Sequence, residues 1–237
     1  MRKLFLSIAL LCATTNFFAQ TTDPAQLRQE GLDAIEAKDY QTAFTKLSSF
    51  MDQTNNQDSV IAYNLGIYAD KLKKPADAAK YFDIAIQKKY NTANAYIGKA
   101  GALKDLNKLD EYVACLKEGL AADPGNKQMT RMYANHYVNQ GVRAQKAKKT
   151  DAAEGFYKQA VEIQPENINA LNALAGLFYG KGAAKMKAND QDGAKAEFAQ
   201  AKEYIGKLLP LLKANNPKQK KLIDNANTML NYINSIK

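Results

Sequence analysis

The sequence has 237 residues, 46% of them hydrophobic, which is enough for one or two ordinary domains. Helix-forming residues such as Ala, Lys, Gln and Leu dominate it, and no long alternating run of Val, Ile and Thr marks a sheet, so we predict an all-α protein. Its formal net charge is +9, and its single histidine and two cysteines exclude a disulfide framework and a thiol-rich metal site.

The first nineteen residues differ in kind from the rest of the chain. Basic Arg2 and Lys3 precede an apolar run from Leu4 to Ala13, and polar residues then lead to Ala19. This order is typical of a signal peptide cleaved after Ala19, and the apolar run is too short to span a bilayer. We therefore expect a cleaved signal peptide, 1–19, and export to the periplasm or out of the cell. No later apolar stretch is long enough for a transmembrane span, so none is expected in the mature chain.

A short pattern of small and large residues recurs five times in the rest of the sequence. Its members are spaced four and three residues apart, which places them on one face of a helix. In chain order the copies are Ala43, Leu47 and Phe50; Ala78, Phe82 and Ala85; Tyr112, Leu116 and Gly119; Ala153, Tyr157 and Ala160; and Ala194, Phe198 and Ala201. Prolines at Pro124 and Pro165 follow the third and fourth copies at the same distance and end those helices.

A small residue stands twelve positions before the first member of every copy. These residues are Gly31, Gly66, Ala100, Gly141 and Gly182. Two antiparallel helices need a small residue where they approach closely, so the constant offset predicts a constant helical hairpin. The pattern resembles the tetratricopeptide repeat (TPR) family, whose unit is a helix-turn-helix of about 34 residues with small and aromatic markers and a terminal proline. It departs from that family in lacking tryptophan.

The resemblance implies a right-handed α-solenoid of about five hairpins over residues 24–212, with units near 24–57, 58–91, 93–126, 127–167 and 168–212. The small residues are 34 or 35 positions apart up to Ala100 and 41 apart from there to Gly182. Seven extra residues are close to two helical turns, so they lengthen the first helix of units four and five without rotating its apolar face. We also predict a long last helix in unit five, kinked at Pro210.

The final segment, 217–237, carries an apolar stripe opposite Lys, Asn and Asp side chains. The stripe comprises Leu222, Ile223, Ala226, Met229, Leu230, Ile233 and Ile236. Because the end of a solenoid otherwise exposes its apolar face, an amphipathic helix here is predicted to be a capping helix. Binding of the stripe to a membrane surface or a partner helix is the alternative.

The sequence offers little for catalysis. His136 and Cys115 are the one histidine and the one thiol after the signal peptide, and they lie in neighbouring units without an orienting group nearby in sequence. No glycine-rich phosphate loop, paired carboxylates or metal-ligand cluster is visible. We therefore predict a protein that is not an enzyme and has no cofactor and no metal.

The TPR resemblance implies a concave groove lined by the first helix of each hairpin. Side chains next to each small residue are expected there, namely Arg28, Tyr63, Asn64, Ile67, Ile97, Val138, Asn139, Val142 and Tyr179. Asn64 and Asn139 match the asparagine with which the family often binds the backbone of an extended peptide. For each of these side chains, packing between units is the alternative. The expected function is non-enzymatic: the groove binds a peptide or helix of another protein, as part of an envelope or secreted assembly.

The charge of the sequence is uneven. Residues 20–125 hold 13 basic and 15 acidic side chains, whereas residues 126–237 hold 18 and 9. An alternative function is therefore the binding of an anionic envelope component, a polysaccharide or a lipid headgroup, through Lys213, Lys218, Lys220 and Lys221. Lysines that are merely solvated would give the same asymmetry, and export disfavours nucleic acid as the partner.

Overall fold

The structure, a computed structural model, describes residues 23–55 and 58–236, so the predicted signal peptide lies outside the described residues. Within these ranges eleven α-helices and a short 3-10 helix form, and there is no strand. The helices are α1 (Pro24–Glu36), α2 (Tyr40–Gln53), α3 (Ser59–Lys71), α4 (Pro75–Gln87), α5 (Thr92–Asp105), α6 (Leu109–Ala122), α7 (Lys127–Lys146), α8 (Thr150–Ile163), α9 (Ile168–Lys187), α10 (Gln191–Leu208) and α11 (Pro217–Ser235). None of the helices in the described ranges combines the length and apolar character that a membrane span requires.

Successive helices pack as hairpins that stack on one another. Helices α1 and α2, α3 and α4, α5 and α6, α7 and α8, and α9 and α10 are the five pairs, and the second helix of each pair contacts the first helix of the next. The prediction of an all-α solenoid of five hairpins is therefore confirmed.

Four of the five small residues in the first helices are glycines, and each contacts one large side chain of the second helix, sixteen positions later. A Cβ atom added to Gly31 would lie 2.5 Å from Leu47 Cγ, and one added to Gly66 would lie 2.7 Å from Phe82 Cδ1. The same construction brings Gly141 within 2.5 Å of Tyr157 Cε1 and Gly182 within 2.6 Å of Phe198 Cε1. These distances are too short for real carbon atoms, so only glycine lets the two helices of these four hairpins come so close.

Replacing Gly141 by alanine should lower the free energy of unfolding by about 1–3 kcal/mol, because the new methyl would overlap the Tyr157 ring, which is packed in the core and 1% exposed. Gly155 on α8 is the matched control, since a Cβ there meets nothing within 4 Å. Gly155→Ala should raise the same free energy by about 0.5–1 kcal/mol. Urea unfolding followed by circular dichroism measures both, and equal effects of the two substitutions would contradict this account.

The turn inside each hairpin uses one residue with a left-handed backbone, always seven positions after the small residue. The residues and their φ angles are Lys38 (58°), Lys73 (58°), Asn107 (57°), Lys148 (59°) and Asn189 (62°). The amide of the following residue donates back to a carbonyl five positions earlier, as from Lys149 to Ala144 at 2.9 Å. This is the hydrogen bond of a Schellman cap, which normally favours glycine at the left-handed position.

Lys148→Gly should therefore raise the free energy of unfolding by about 0.5–1 kcal/mol, because a lysine gives up favourable conformations to adopt a positive φ. Lys146→Gly, two residues earlier in the last turn of α7, should instead lower it by about 1 kcal/mol, because glycine is a poor helix former. Thermal unfolding of the two variants should shift in opposite directions. A shift in the same direction would show that the turn geometry does not control stability here.

The first helices of units four and five are longer than the other first helices. Helices α7 and α9 each have 20 residues, against 13 or 14 in α1, α3 and α5. Each is preceded by an asparagine whose side-chain oxygen accepts a hydrogen bond from the backbone amide three residues later. Met129 donates to Asn126, and Ala170 donates to Asn167, each at 3.0 Å. The added turns therefore lie at the N-terminal ends, after equivalent caps.

The chain after α10 differs from the expectation of a kinked helix. The α-helix ends at Leu208, and a 3-10 helix, Leu209–Leu211, follows. Pro210 has no amide to donate to the carbonyl four residues back, so the α-helical ladder ends rather than bends. Helix α11 then packs against α9 and α10, with Ala226 and Ile233 buried, and so covers the last hairpin.

Candidate functional site

A groove lies between the two long first helices, and we call it the α7–α9 groove. Its volume is about 590 Å³. It is lined by Val138, Val142 and Gln145 of α7, Tyr157 of α8, and Asn169, Asn172, Ala173 and Gly176 of α9. Apolar side chains and amides share this surface, and no charged side chain lines it.

The large side chain of the fourth hairpin forms part of the groove wall. The Tyr157 ring lies against Gly141, and its hydroxyl donates to Gln145 Oε1 at 2.9 Å, which holds the Gln145 amide in place. Burial raises the pKa of Tyr157, so the phenol stays neutral and able to donate at physiological pH. The contact between Gly141 and Tyr157, which fixes the spacing of the hairpin, therefore also positions Tyr157 and Gln145 in the groove.

The α9 side of the groove has an open backbone. A Cβ atom added to Gly176, which lines the groove, meets nothing within 4 Å, so packing within the chain does not require a glycine there. The same holds for Gly180, one turn further along α9. Glycine inside a helix costs about 1 kcal/mol relative to alanine. Across the groove, Val142 leaves 38% of its surface exposed. An apolar side chain facing an uncovered helix backbone is a surface that another chain can approach closely.

The side chains predicted to line one groove lie in different parts of the structure. Val138 and Val142 line the α7–α9 groove together. Asn139 is exposed and lies instead in a crevice between α7 and the turn that joins α5 to α6. Arg28 is exposed on α1, in the first hairpin and far along the array from that groove.

Several other predicted groove residues are used in packing. Tyr63 on α3 is half-buried, with its ring centroid 5.8 Å from those of Phe82 and Tyr90. Tyr179, the equivalent residue of α9, packs in the same way on Phe198 at 5.9 Å. Ile67 and Ile97 are half-buried against the cores, and Asn64 is half-buried on α3. A ligand-binding role for these residues stays a prediction.

Six residues of the groove are not among the groove residues predicted from the sequence. They are Gln145, Tyr157, Asn169, Asn172, Ala173 and Gly176. A signal for the α9 members exists, because Asn169, Asn172 and Gly176 continue the helical stripe of Tyr179 toward the start of the helix at spacings of three and four. Asn169 and Asn172 lie in the added turns of α9, more than one turn away from Gly182.

The four lysines of the alternative function lie together at one end of the molecule. Lys213 donates its backbone amide to Gln219 Oε1 at 2.7 Å, which brings it to the first turn of α11. Lys218, Lys220 and Lys221 belong to that turn and the next, and all four lysines are exposed.

Cys115 and His136 do not form a catalytic pair. Cys115 is buried, its Sγ donates to the Tyr96 carbonyl at 3.6 Å, and burial raises the pKa of the thiol to about 11. His136 packs between the rings of Tyr112 and Tyr137, at 5.6 and 5.3 Å between centroids. In the described part of the chain, no group of three or more His, Cys, Asp or Glu side chains could hold a metal ion.

The raised pKa of Cys115 predicts that its thiol reacts slowly with labelling reagents. At pH 8 its thiolate fraction should be roughly 100-fold or more below that of a free cysteine, and labelling by an aromatic disulfide reagent should slow at least as much. The accessible control is Ala114→Cys in a Cys115→Ala background, because residue 114 is exposed on the same helix. Equal labelling rates in a chain that begins at Gln20 would contradict the burial of Cys115.

No protein-family model and no curated protein match the sequence. Among solved structures, the chain is similar to a TPR repeats protein (BF2334) from Bacteroides fragilis, with 41% identity over 88% of this chain and 99% of that chain and a TM-score of 0.72. This chain belongs to the tetratricopeptide repeat family. As a TPR array it is a repeat scaffold for protein–protein interaction.

Two other TPR-type structures match with much lower identity. The TPR domain of P58(IPK) has 15% identity over 90% of this chain and 67% of that chain, with a TM-score of 0.45. MamA from Desulfovibrio magneticus RS-1 has 16% identity over 76% of this chain and 94% of that chain, with a TM-score of 0.42.

Proposed function

We propose that this TPR array binds a segment of a partner protein, a short helix or an extended peptide, in the α7–α9 groove. The observation that carries the proposal is the glycine in the groove wall, Gly176, that no contact within the chain requires. It leaves the backbone of α9 open where Val142 is exposed across the groove. In this proposal the array acts by binding its partner and not as a catalyst.

The lining of the groove specifies the character of the bound segment. Val138, Val142 and Ala173 bury apolar side chains of the partner, each worth about 0.8 kcal/mol per buried CH₂ group. Asn169 and Asn172 offer amides that donate to and accept from a peptide backbone. Because no charged side chain lines the groove, we expect a neutral apolar segment rather than an acidic tail.

We also propose that binding takes place outside the cytoplasm, in an envelope or secreted assembly. The support is the order of charge, apolar run and small residue in residues 1–19. N-terminal sequencing of the protein from its native cell tests this, with Gln20 as the expected first residue. An N-terminus at Met1 would overturn it.

Photocrosslinking in the native cell tests the proposed groove. A photoreactive amino acid at position 142 or 172 should crosslink to the same partner, identified by mass spectrometry, because both positions line the groove. The same group at position 155, exposed on α8 with open space around it, is the control. Identical adducts at all three positions, or none at 142 and 172, would overturn the proposal.

Gly176→Ala separates binding from folding. The substitution should raise the free energy of unfolding by about 0.5–1 kcal/mol, because alanine favours the helix and its methyl meets nothing. It should nevertheless reduce the crosslinking yield at position 142, because the methyl holds the partner away from α9. Gly155→Ala should give the same gain in stability with an unchanged yield. A Gly176→Ala protein that binds as well as the wild type would show that close approach to α9 is not needed.

The cluster of Lys213, Lys218, Lys220 and Lys221 supports a second candidate, the binding of an anionic polysaccharide or lipid headgroup. All four side chains are exposed, and no ion pair among the described residues neutralises them. Binding to vesicles with and without anionic lipid, or to an acidic polysaccharide, should weaken steeply as salt rises and should disappear when the four lysines become glutamine. Binding that is unaffected by salt and by the four substitutions would exclude this role.

A further inference from the structure

A smaller and more enclosed cavity lies on the other side of α7, and we call it the seam cavity. It is formed between α7 and the turn that joins α5 to α6, and its volume is about 160 Å³. It shares no residue with the α7–α9 groove. Its polar lining consists of Lys104, Asn135, His136, Asn139, Gln140 and Arg143.

The cations of the seam cavity are not neutralised by the chain. Lys99, Lys181 and Lys185 of the same array each pair with a carboxylate. By contrast, neither Lys104 nor Arg143 makes an ion pair or a side-chain hydrogen bond with any described residue. Both side chains are exposed, and they line the same partly open cavity without an ion-pair partner. Two such positive charges at one cavity attract an anion.

The cavity wall is fixed in place by neighbouring contacts. The Tyr112 hydroxyl donates to the Met132 carbonyl at 3.0 Å and so ties α6 to α7 at one end of the cavity. Burial raises the pKa of this phenol to about 12, so it does not ionise and the bond persists. The Tyr112 ring also lies 5.6 Å from His136 between centroids. A prearranged wall reduces the ordering that a ligand must bring about.

The number of donors identifies the kind of anion. Arg143 can offer five N–H groups and Lys104 three, and the amides of Asn135, Asn139 and Gln140 offer two each. A carboxylate has two oxygens and one charge, whereas a phosphate monoester has three terminal oxygens and up to two charges, which matches two cations and several donors. We propose that the seam cavity binds the phosphoryl group of a small ligand.

The size of the cavity limits what enters it. At about 30 Å³ for each water of the liquid, 160 Å³ corresponds to roughly five waters. That is room for a phosphoryl group and a few further atoms, so the organic part of a larger ligand would extend along the opening. Free phosphate and a phosphate ester both satisfy this chemistry.

The pKa of His136 should change when such an anion binds. Burial lowers its pKa below the ordinary value, and the positive charge of Arg143 lowers it further, while Asp110 acts in the opposite direction. The other groups around it are Tyr112 of α6, Tyr137 of α7 and, across the cavity, Lys104 of α5. A phosphate dianion in the cavity adds negative charge beside the ring and therefore raises the pKa of His136.

The experiment uses the chain from Gln20 onward and the NMR signals of its single histidine. The pH titration of the His136 ring is recorded without ligand and with millimolar inorganic phosphate, glycerol phosphate or acetate. We expect phosphate and glycerol phosphate to raise the titration midpoint by about one pH unit. Arg143→Gln and Lys104→Gln should each weaken this response about tenfold. Lys146→Gln, which removes an exposed charge one turn along α7, should not.

Each outcome decides the proposal. Tighter binding of glycerol phosphate identifies an ester as the ligand, tighter binding of inorganic phosphate identifies the free ion, and both support a phosphoryl site. An equal response to acetate would overturn the phosphoryl assignment. A wild-type titration unmoved by phosphate, or an equal loss with Lys146→Gln, would overturn the site itself. The photocrosslinking result at the α7–α9 groove does not bear on any of these outcomes.

Discussion

The fold depends on the contact between a glycine in the first helix of a hairpin and a large side chain in the second. In four hairpins the glycine lies sixteen positions before Leu47, Phe82, Tyr157 or Phe198, at a distance that leaves no space for a Cβ atom unless the neighbouring side chain shifts. In the third, Ala100 and Leu116 occupy the equivalent buried positions. Because the contact fixes both the separation and the register of the two helices, each hairpin presents the same surfaces to its neighbours.

Added length is therefore confined to places that leave this contact unchanged. Seven residues inserted before Gly141 and before Gly182 extend α7 and α9 at their N-terminal ends, where Asn126 and Asn167 begin both helices in the same way. Seven residues are nearly two turns, so the packing face keeps its direction. The added turns of α9 carry Asn169, Asn172 and Ala173, which form part of one wall of the α7–α9 groove.

Periodic spacing predicts the parts of this structure that depend on helix geometry alone. The hairpins, their tight contacts and the two long helices follow from residues such as Gly141, Tyr157 and Ala160. The sequence does not predict the left-handed Lys73 and Lys148, because lysine has no preference for that conformation and only the turn imposes it. The sequence also does not predict the end of α10 before Pro210, because a proline can either end a helix or kink it. The groove amides Asn169 and Asn172 lie more than two turns before Gly182, so positions chosen next to the small residue do not include them.

A double-mutant cycle on Gly182 and Phe198 tests the central contact most directly. Gly182→Ala and Phe198→Ala are measured singly and together by urea unfolding. Because alanine at residue 198 lacks all the ring atoms that a Cβ at residue 182 would meet, the double variant should be more stable than the sum of the single effects predicts, by about 1 kcal/mol or more. Additive effects would contradict the account, because they would mean that the two residues do not restrain each other.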